Sequence, residues 1–266
     1  MTTSTSRWAV ILGASSGFGE AAALELAAHG YDICGVHLDR RQGMAHVAEI
    51  TAAIEAKGRK ALFFNVNAAD AERRKEVTTA LVEAAAGAPV RVLMHSLAFG
   101  TLKPYIAADE KDAMAPAQMD MTLDVMAHSL VYWTQDLHRA GLLRRGSKIY
   151  AMTSSGDHII WKAYGAVSAA KCALESHVRQ LAMELARSGI GATANCIRAG
   201  VTITPALLKI PESQTMIDIT MKRNPTGRMT TPQDVANAIL ALSGDGTDFI
   251  NGDIISVDGG EFITGS

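Results

Sequence analysis

Apolar and polar positions along the chain follow two alternating patterns. Short runs dense in Val, Ile, Leu and Ala are separated by longer segments whose apolar positions recur every three or four residues. The short runs predict strands at Trp8–Leu12, Asp32–His37, Ala61–Asn65, Val90–His95, Lys148–Thr153, Gly191–Ile197 and Asp253–Val257. The longer segments predict helices, among them Gly17–His29, Ala69–Ala86, Gln118–Arg139, Tyr164–Arg187 and Pro232–Leu242. In the helix from Tyr164, residues Val167, Leu174, Val178, Leu181 and Leu185 form one packed stripe. Strands alternating with helices predict an α/β fold: repeated strand–helix units around a parallel sheet, with helices packed on both faces. The 266 residues suffice for one large domain of this kind, and no Ser/Pro/Gly-rich run or charge block marks a linker.

One stretch breaks the rhythm. Val201–Arg228 holds Thr202, Thr204, Pro205, Pro211 and Pro225 with only weak periodicity. Two readings fit: a mobile substrate lid, since ligands in such sheets sit at the C-terminal ends of strands, or a static surface excursion.

Charge and cysteine content narrow the setting. The 25 basic and 27 acidic residues nearly cancel, leaving −2, which weighs against nucleic acid or an anionic membrane as the main partner. Cys34, Cys172 and Cys196 are dispersed among small or apolar neighbours without a CxxC pair, so buried, reduced thiols of a cytosolic protein are expected. No apolar run approaches the ~20 residues a membrane-spanning helix needs, and the opening residues lack the pattern of a signal peptide. The expectation is a soluble, cytoplasmic protein.

The first candidate chemistry is the glycine turn Gly13-Ala14-Ser15-Ser16-Gly17-Phe18-Gly19, which follows an apolar strand and opens an alanine-rich helix. That order presents backbone N–H groups and a helix N-terminus to a pyrophosphate, with Ser15 and Ser16 as further donors. The second is Tyr164 with Lys171. Seven helical residues advance about 700°, so both side chains leave one face two turns apart. Each residue has a plainer use, packing for the tyrosine and surface charge for the lysine. His95 and His128 lack metal-ligand spacing and are expected to be structural or pocket-lining, with no metal bound. Met114, Met119, Met121 and Met126 fit either an apolar acyl channel or core filling.

The GxxxGxG spacing, with GRMTTPQDVA (Gly227–Ala236) and VDGG (Val257–Gly260), resembles the short-chain dehydrogenase/reductase family over nearly the whole chain. The resemblance implies a single Rossmann-type, doubly wound parallel sheet with helices on both faces, a nicotinamide cofactor, and a homotetramer packed through the helices at Gln118–Arg139 and Tyr164–Arg187. Ordinary members carry Tyr-x3-Lys, an Asn on an earlier helix and Asn-Asn-Ala-Gly after the fourth strand. Here those places hold Val167, Met126 and His95-Ser96-Leu97-Ala98. All three departures resemble the divergent enoyl-acyl-carrier-protein reductase branch, which has Tyr-x6-Lys and a His-Ser-Ile/Leu turn. Thr153-Ser154-Ser155-Gly156 is similar to its NADPH-using subgroup.

The implied reaction is reduction of the trans-2 double bond of an acyl thioester, on acyl carrier protein or coenzyme A, as in fatty acid synthesis. The implied catalytic residues are Tyr164 as donor to the thioester oxygen, Lys171 on the nicotinamide ribose, and Ser154 assisting. The implied cofactor contacts are the glycine turn, Asn67 near the adenine, Ser96, and Thr202 and Thr204 toward the carboxamide and pyrophosphate. Cofactor choice falls to His37 and its followers. Arg40 and Arg41 suit the 2′-phosphate of NADPH, whereas Asp39 suits NADH. A ketone-reducing member with a rearranged site, and a silent scaffold that keeps the fold, are the alternatives.

Overall fold

The computed structural model describes residues 6–264. Seven strands form one parallel sheet: β1 (Arg7–Leu12), β2 (Tyr31–His37), β3 (Ala61–Asn65), β4 (Val90–His95), β5 (Lys148–Thr153), β6 (Thr193–Ala199) and β7 (Ile254–Val257), in the order β3-β2-β1-β4-β5-β6-β7. Every residue of β2, β5 and β6 is buried, as a sheet covered on both faces requires. Alternation along β1 divides the core. Trp8, Val10 and Leu12 face one layer, and Ala9 and Ile11 face the other.

The first layer is closed by α3 (Ala71–Ala85), α5 (Ser129–Arg139) and α6 (Gly165–Arg187). The second is closed by α1 (Gly17–Ala28), α2 (Met44–Glu55) and α8 (Pro232–Leu242). Capping fixes where α8 begins. The Thr231 hydroxyl accepts from the Asp234 amide at 3.2 Å, Pro232 opens the helix, and Arg228 forks onto the Asp234 carboxylate at 2.6 and 2.9 Å. Arg228 first, then Thr231, holds that carboxyl far below its ordinary range. The VDGG sequence turns the chain back: Asp258 accepts from the amides of Gly260 and Phe262, both at 2.9 Å. Its neighbour Glu261 then receives the Val201 amide at 3.1 Å and the Thr220 hydroxyl at 3.2 Å, tying down the base of the 201–228 segment.

Several expectations need correcting. Residues 201–228 contain a helix, α7 (Ser213–Arg223), whose stripe is too thin to register in the pattern because only Met216 and Thr220 are buried. Helix α2 was likewise not singled out; alanines blur its Val47, Ile50, Ile54 stripe. Strand β6 runs Thr193–Ala199, two residues later than expected, since Gly191 takes φ +70° in the preceding turn. The expected helix at Gln118–Arg139 is instead α4 (Pro116–Leu123), a π turn at Asp124–His128, and α5. Cys34 and Cys196 are buried, with thiols pushed up to about 12 by desolvation. Cys172 is exposed, because it lies about 100° around α6 from buried Lys171.

Candidate active site

Strand order reverses between β1 and β4, and the crevice beyond their C-terminal ends is where ligands bind in such sheets. Two segments meet there. The Ser96 amide donates to the Leu12 carbonyl at 2.8 Å, and Gly13, at φ +91°, lies so close to the Ser96 carbonyl that a Cβ would collide with it. Only glycine fits that approach. Helix α1 starts at Gly17 with no side chain capping its first turn, so its amides and positive dipole end face the crevice. The Thr204 methyl closes the other side, 3.3 Å from where a Gly17 Cβ would stand. Ser15, Ser16 and Phe18 lie in the same turn, and Gly19 is packed on the Gly13 carbonyl. The structure thus gathers the glycine turn, Ser96 and Thr204. Thr202 is buried nearby, its hydroxyl donating to the Gly200 carbonyl at 2.9 Å.

At the end of β2 the geometry departs from simple expectation. His37 is buried, and its Nδ1 meets Asp39 Oδ2 at 2.9 Å. Asn65 pins Asp39 in two directions, accepting from its amide and donating to its carbonyl, both at 2.9 Å. Arg40 and Arg41 are exposed beside this turn. Asn67 is exposed on the loop after β3 and accepts from the Ala69 amide at 3.0 Å.

Tyr164 occupies the N-cap of α6 rather than its first turn. Ala163 before it takes φ +60°, a conformation costing an L-residue about 1–2 kcal/mol. That turn lays the Tyr164 ring against Gly156, where a Cβ would stand 2.5 Å from ring atom Cε1. Burial raises the phenol's pKa, and the neighbouring Ser154 hydroxyl partly offsets the rise. Ser154 also accepts from the Gly156 amide at 3.3 Å. Lys171 is buried, and its Nζ donates to the Met152 carbonyl at 2.7 Å, two residues before Ser154. Desolvation lowers its pKa to about 8, against the pull of Cys196 and Glu175. Tyr164, Ser154 and Lys171 therefore converge at the end of β5.

The alternative positions are closed. Val167 and Met126 are both buried and meet at Gly100: a Cβ there would lie 2.7 Å from Val167 Cγ2 and 2.8 Å from Met126 Sδ. Met126 is thus core filling, in contact with the loop after β4. His128 sits in the π turn with Nδ1 2.9 Å from His177 Nε2, and it lines a groove of about 350 Å³ with Asp120, Met121, Leu123 and Asp124.

Sequence reasoning missed the ionic group beneath the site. The side chains of Asp157 and Glu175 are buried beside Arg198, whose Nη2 is 3.3 Å from Asp157 Oδ2, and the Thr153 hydroxyl donates to Glu175 at 2.6 Å. Desolvation first, then Asp157, raises the Glu175 pKa, while Thr153 and Arg198 oppose the rise. One signal was available: Glu175 lies four residues after Lys171, on the same helix face.

A crevice at the strand-order reversal, with an uncapped helix end beside a buried phenol and ammonium, defines a dinucleotide-type oxidoreductase fold. The chain belongs to the short-chain dehydrogenase/reductase family, in its enoyl-acyl-carrier-protein-reductase-like branch; the family model described as "Enoyl-(Acyl carrier protein) reductase" matches residues 13–261. Its relatives are diverse. The chain is 29% identical to an NADPH-dependent aldehyde reductase-like protein, chloroplastic, of Arabidopsis thaliana, covering 96% of this chain and 93% of the relative. It is 28% identical to the 3-oxoacyl-acyl-carrier-protein reductase FabG of Aggregatibacter actinomycetemcomitans, covering 94% and 97%. The crystal structure of enoyl-acyl-carrier-protein reductase (NADH) from Aquifex aeolicus VF5 shares the fold, with TM-score 0.83 at 23% identity over 98% of each chain.

Proposed function

We propose that the protein is a nicotinamide-dependent reductase of the trans-2 double bond of acyl thioesters, carried on acyl carrier protein or coenzyme A. The observation that carries the reading is the exchange of positions on α6. The phenol stands at Tyr164 beside Ser154, while Val167 is sealed into the core against Met126 and Gly100.

The residues fit a nicotinamide cofactor. The uncapped start of α1, with Gly13, Ser15, Ser16, Gly17, Phe18 and Gly19, would hold the pyrophosphate together with Thr204. Ser96, Thr202 and Asn67 would hold the nicotinamide and adenine ends, and Lys171 the nicotinamide ribose. We assign NADPH because Arg40 and Arg41 are exposed at the end of β2, whereas one Asp39 carboxylate oxygen is engaged by His37 and its backbone is pinned by Asn65. When bound, the reduced nicotinamide supplies a hydride.

The chain's own residues manage the charge that develops on the substrate. Tyr164 donates a hydrogen bond, then its proton, to the thioester oxygen as negative charge collects there; the enol so formed becomes the saturated thioester by gaining a solvent proton at the α-carbon as its oxygen returns the proton to the phenolate. Burial raises the Tyr164 pKa, so the phenol carries the proton it would donate. Lys171 adds positive potential, and Ser154 orients the phenol. Residues 201–228, with α7, would cover the acyl chain as a lid. The protein would work in the cytoplasm as a homotetramer packed through α4, α5 and α6; among the described residues no helix is long and apolar enough to cross a membrane.

A second reading, reduction of a ketone, draws on the aldehyde-reductase-like and 3-oxoacyl-reductase relatives. Oxidation of NADPH with crotonyl and acetoacetyl thioesters separates the two. Turnover of the crotonyl substrate is expected, and turnover of the acetoacetyl substrate alone would overturn the assignment.

A further inference from the structure

The buried layer between the sheet and helices α5 and α6 contains a polar group that none of the roles above uses. His95 ends β4, is completely buried, and by strand alternation shares the layer of Leu93. In register it stands beside Ala151 of β5, the residue before Met152, whose carbonyl holds the Lys171 ammonium.

Its protonation pattern follows from its neighbours. The Ser129 hydroxyl donates to the Val125 carbonyl in the π turn at 2.8 Å. Ser129 Oγ lies 2.9 Å from His95 Nε2 and so accepts there, which places the ring proton on Nε2. Desolvation first, then the Lys171 charge, lowers the His95 pKa to about 3 against the pull of the Val125 and His95 backbone, so the ring stays neutral; with the proton on Nε2, Nδ1 is a bare acceptor. That nitrogen is buried without a protein partner, a state native structures rarely leave unexplained. Lys171, for its part, has three N–H donors and spends one on Met152.

We propose that His95 is a positioning residue for Lys171: its bare Nδ1 accepts, across one bridging water, a hydrogen bond from the ammonium and so aims the remaining N–H toward the cofactor ribose. The link is drawn through a water because His95 Nδ1 has no direct hydrogen-bond partner in the protein. The Ser129 hydroxyl and the π-turn carbonyl of Val125 serve to fix the tautomer. This step rests on the reading of Lys171 as the ribose-holding residue and adds His95, Ser129 and the π turn to the site.

Two substitutions separate the nitrogens. His95→Asn keeps an acceptor near the Nδ1 position and loses the Ser129 bond, whereas His95→Gln keeps a donor near Nε2 and loses the δ acceptor. The readout is NADPH affinity, followed by the fluorescence of the reduced cofactor, which needs no substrate. His95→Gln should weaken binding about tenfold, while His95→Asn stays within about threefold of the parent. The reverse order, an equal loss, or no loss in either variant would overturn the proposal. If neither variant folds, nitrogen-15 NMR of histidine-labelled parent enzyme decides. Nδ1 should appear unprotonated and hydrogen-bonded, and should move on Lys171→Ala; a protonated Nδ1, or one indifferent to that change, refutes the link. Should Lys171→Ala leave NADPH affinity unchanged, the reading of Lys171 itself falls, a result distinct from failure at His95.

Discussion

Burial costs Lys171 part of its hold on a proton, and its pKa of about 8 puts the loss within reach of ordinary buffers. Below that value the ammonium is present; above it the neutral amine accumulates. NADPH affinity should therefore fall as pH rises through about 8, by up to about tenfold per unit. Tyr164 adds nothing to this limb, because its pKa is shifted upward. Titration of NADPH fluorescence across the range checks the point, and Lys171→Ala should give weak affinity without the alkaline fall. A limb that persists in Lys171→Ala would assign the titration to another group. A second test concerns the strained residue before the phenol. Ala163→Gly should relieve the φ +60° conformation and change stability by no more than about 1 kcal/mol, while Ala163→Val should cost more.

The elements show why some of the molecule was legible in sequence. Strands β4 and β5 fall where their apolar runs fall, because strands buried on both faces leave little room for ambiguity. Helix α8 was bounded by its own capping chemistry. Helix α7 escaped because it buries so little, and the π turn because one extra residue per turn leaves no mark in an apolar period. In the site, spacing puts Tyr164 and Lys171 on one helix face, and the family resemblance alone supplies their roles. The Asp157, Glu175 and Arg198 group was not legible, since it joins a loop, a helix and a strand that only the fold brings together. The contact of Gly100 with Val167 and Met126 was equally invisible. Gly100→Ala must push into Val167 Cγ2 and Met126 Sδ, and thermal unfolding should show a loss of about 1–3 kcal/mol. An unchanged melting temperature would show that the loop after β4 stands clear of α6.

For the whole molecule, the sheet order sets what is possible. Because the order reverses between β1 and β4, the glycine turn and the His95-Ser96 turn meet in one crevice, and β5 delivers Ser154 and the Lys171 carbonyl partner beside it. The same arrangement makes a neutral His95 part of the fold. Its folded pKa of about 3 lies below the ordinary value of 6.5, so the unfolded chain binds the proton more readily. This contribution to stability is complete above pH 6.5 and is lost as pH falls toward about 3. In that window His95 should account for up to about 1.4 kcal/mol of lost stability per pH unit. Urea denaturation of the parent and His95→Asn at several pH values isolates it, the variant showing the shallower decline. Parallel declines would assign the acid sensitivity elsewhere.

The central claim is that the Tyr164 hydroxyl meets the negative charge developing on the thioester oxygen. Turnover of crotonyl thioester by Tyr164→Phe, measured beside its NADPH affinity, tests it most directly, since the change deletes one oxygen and leaves the ring against Gly156. The account predicts a loss of about 10²-fold or more in kcat with NADPH affinity intact. Full turnover by Tyr164→Phe would contradict it and assign the donor to another group.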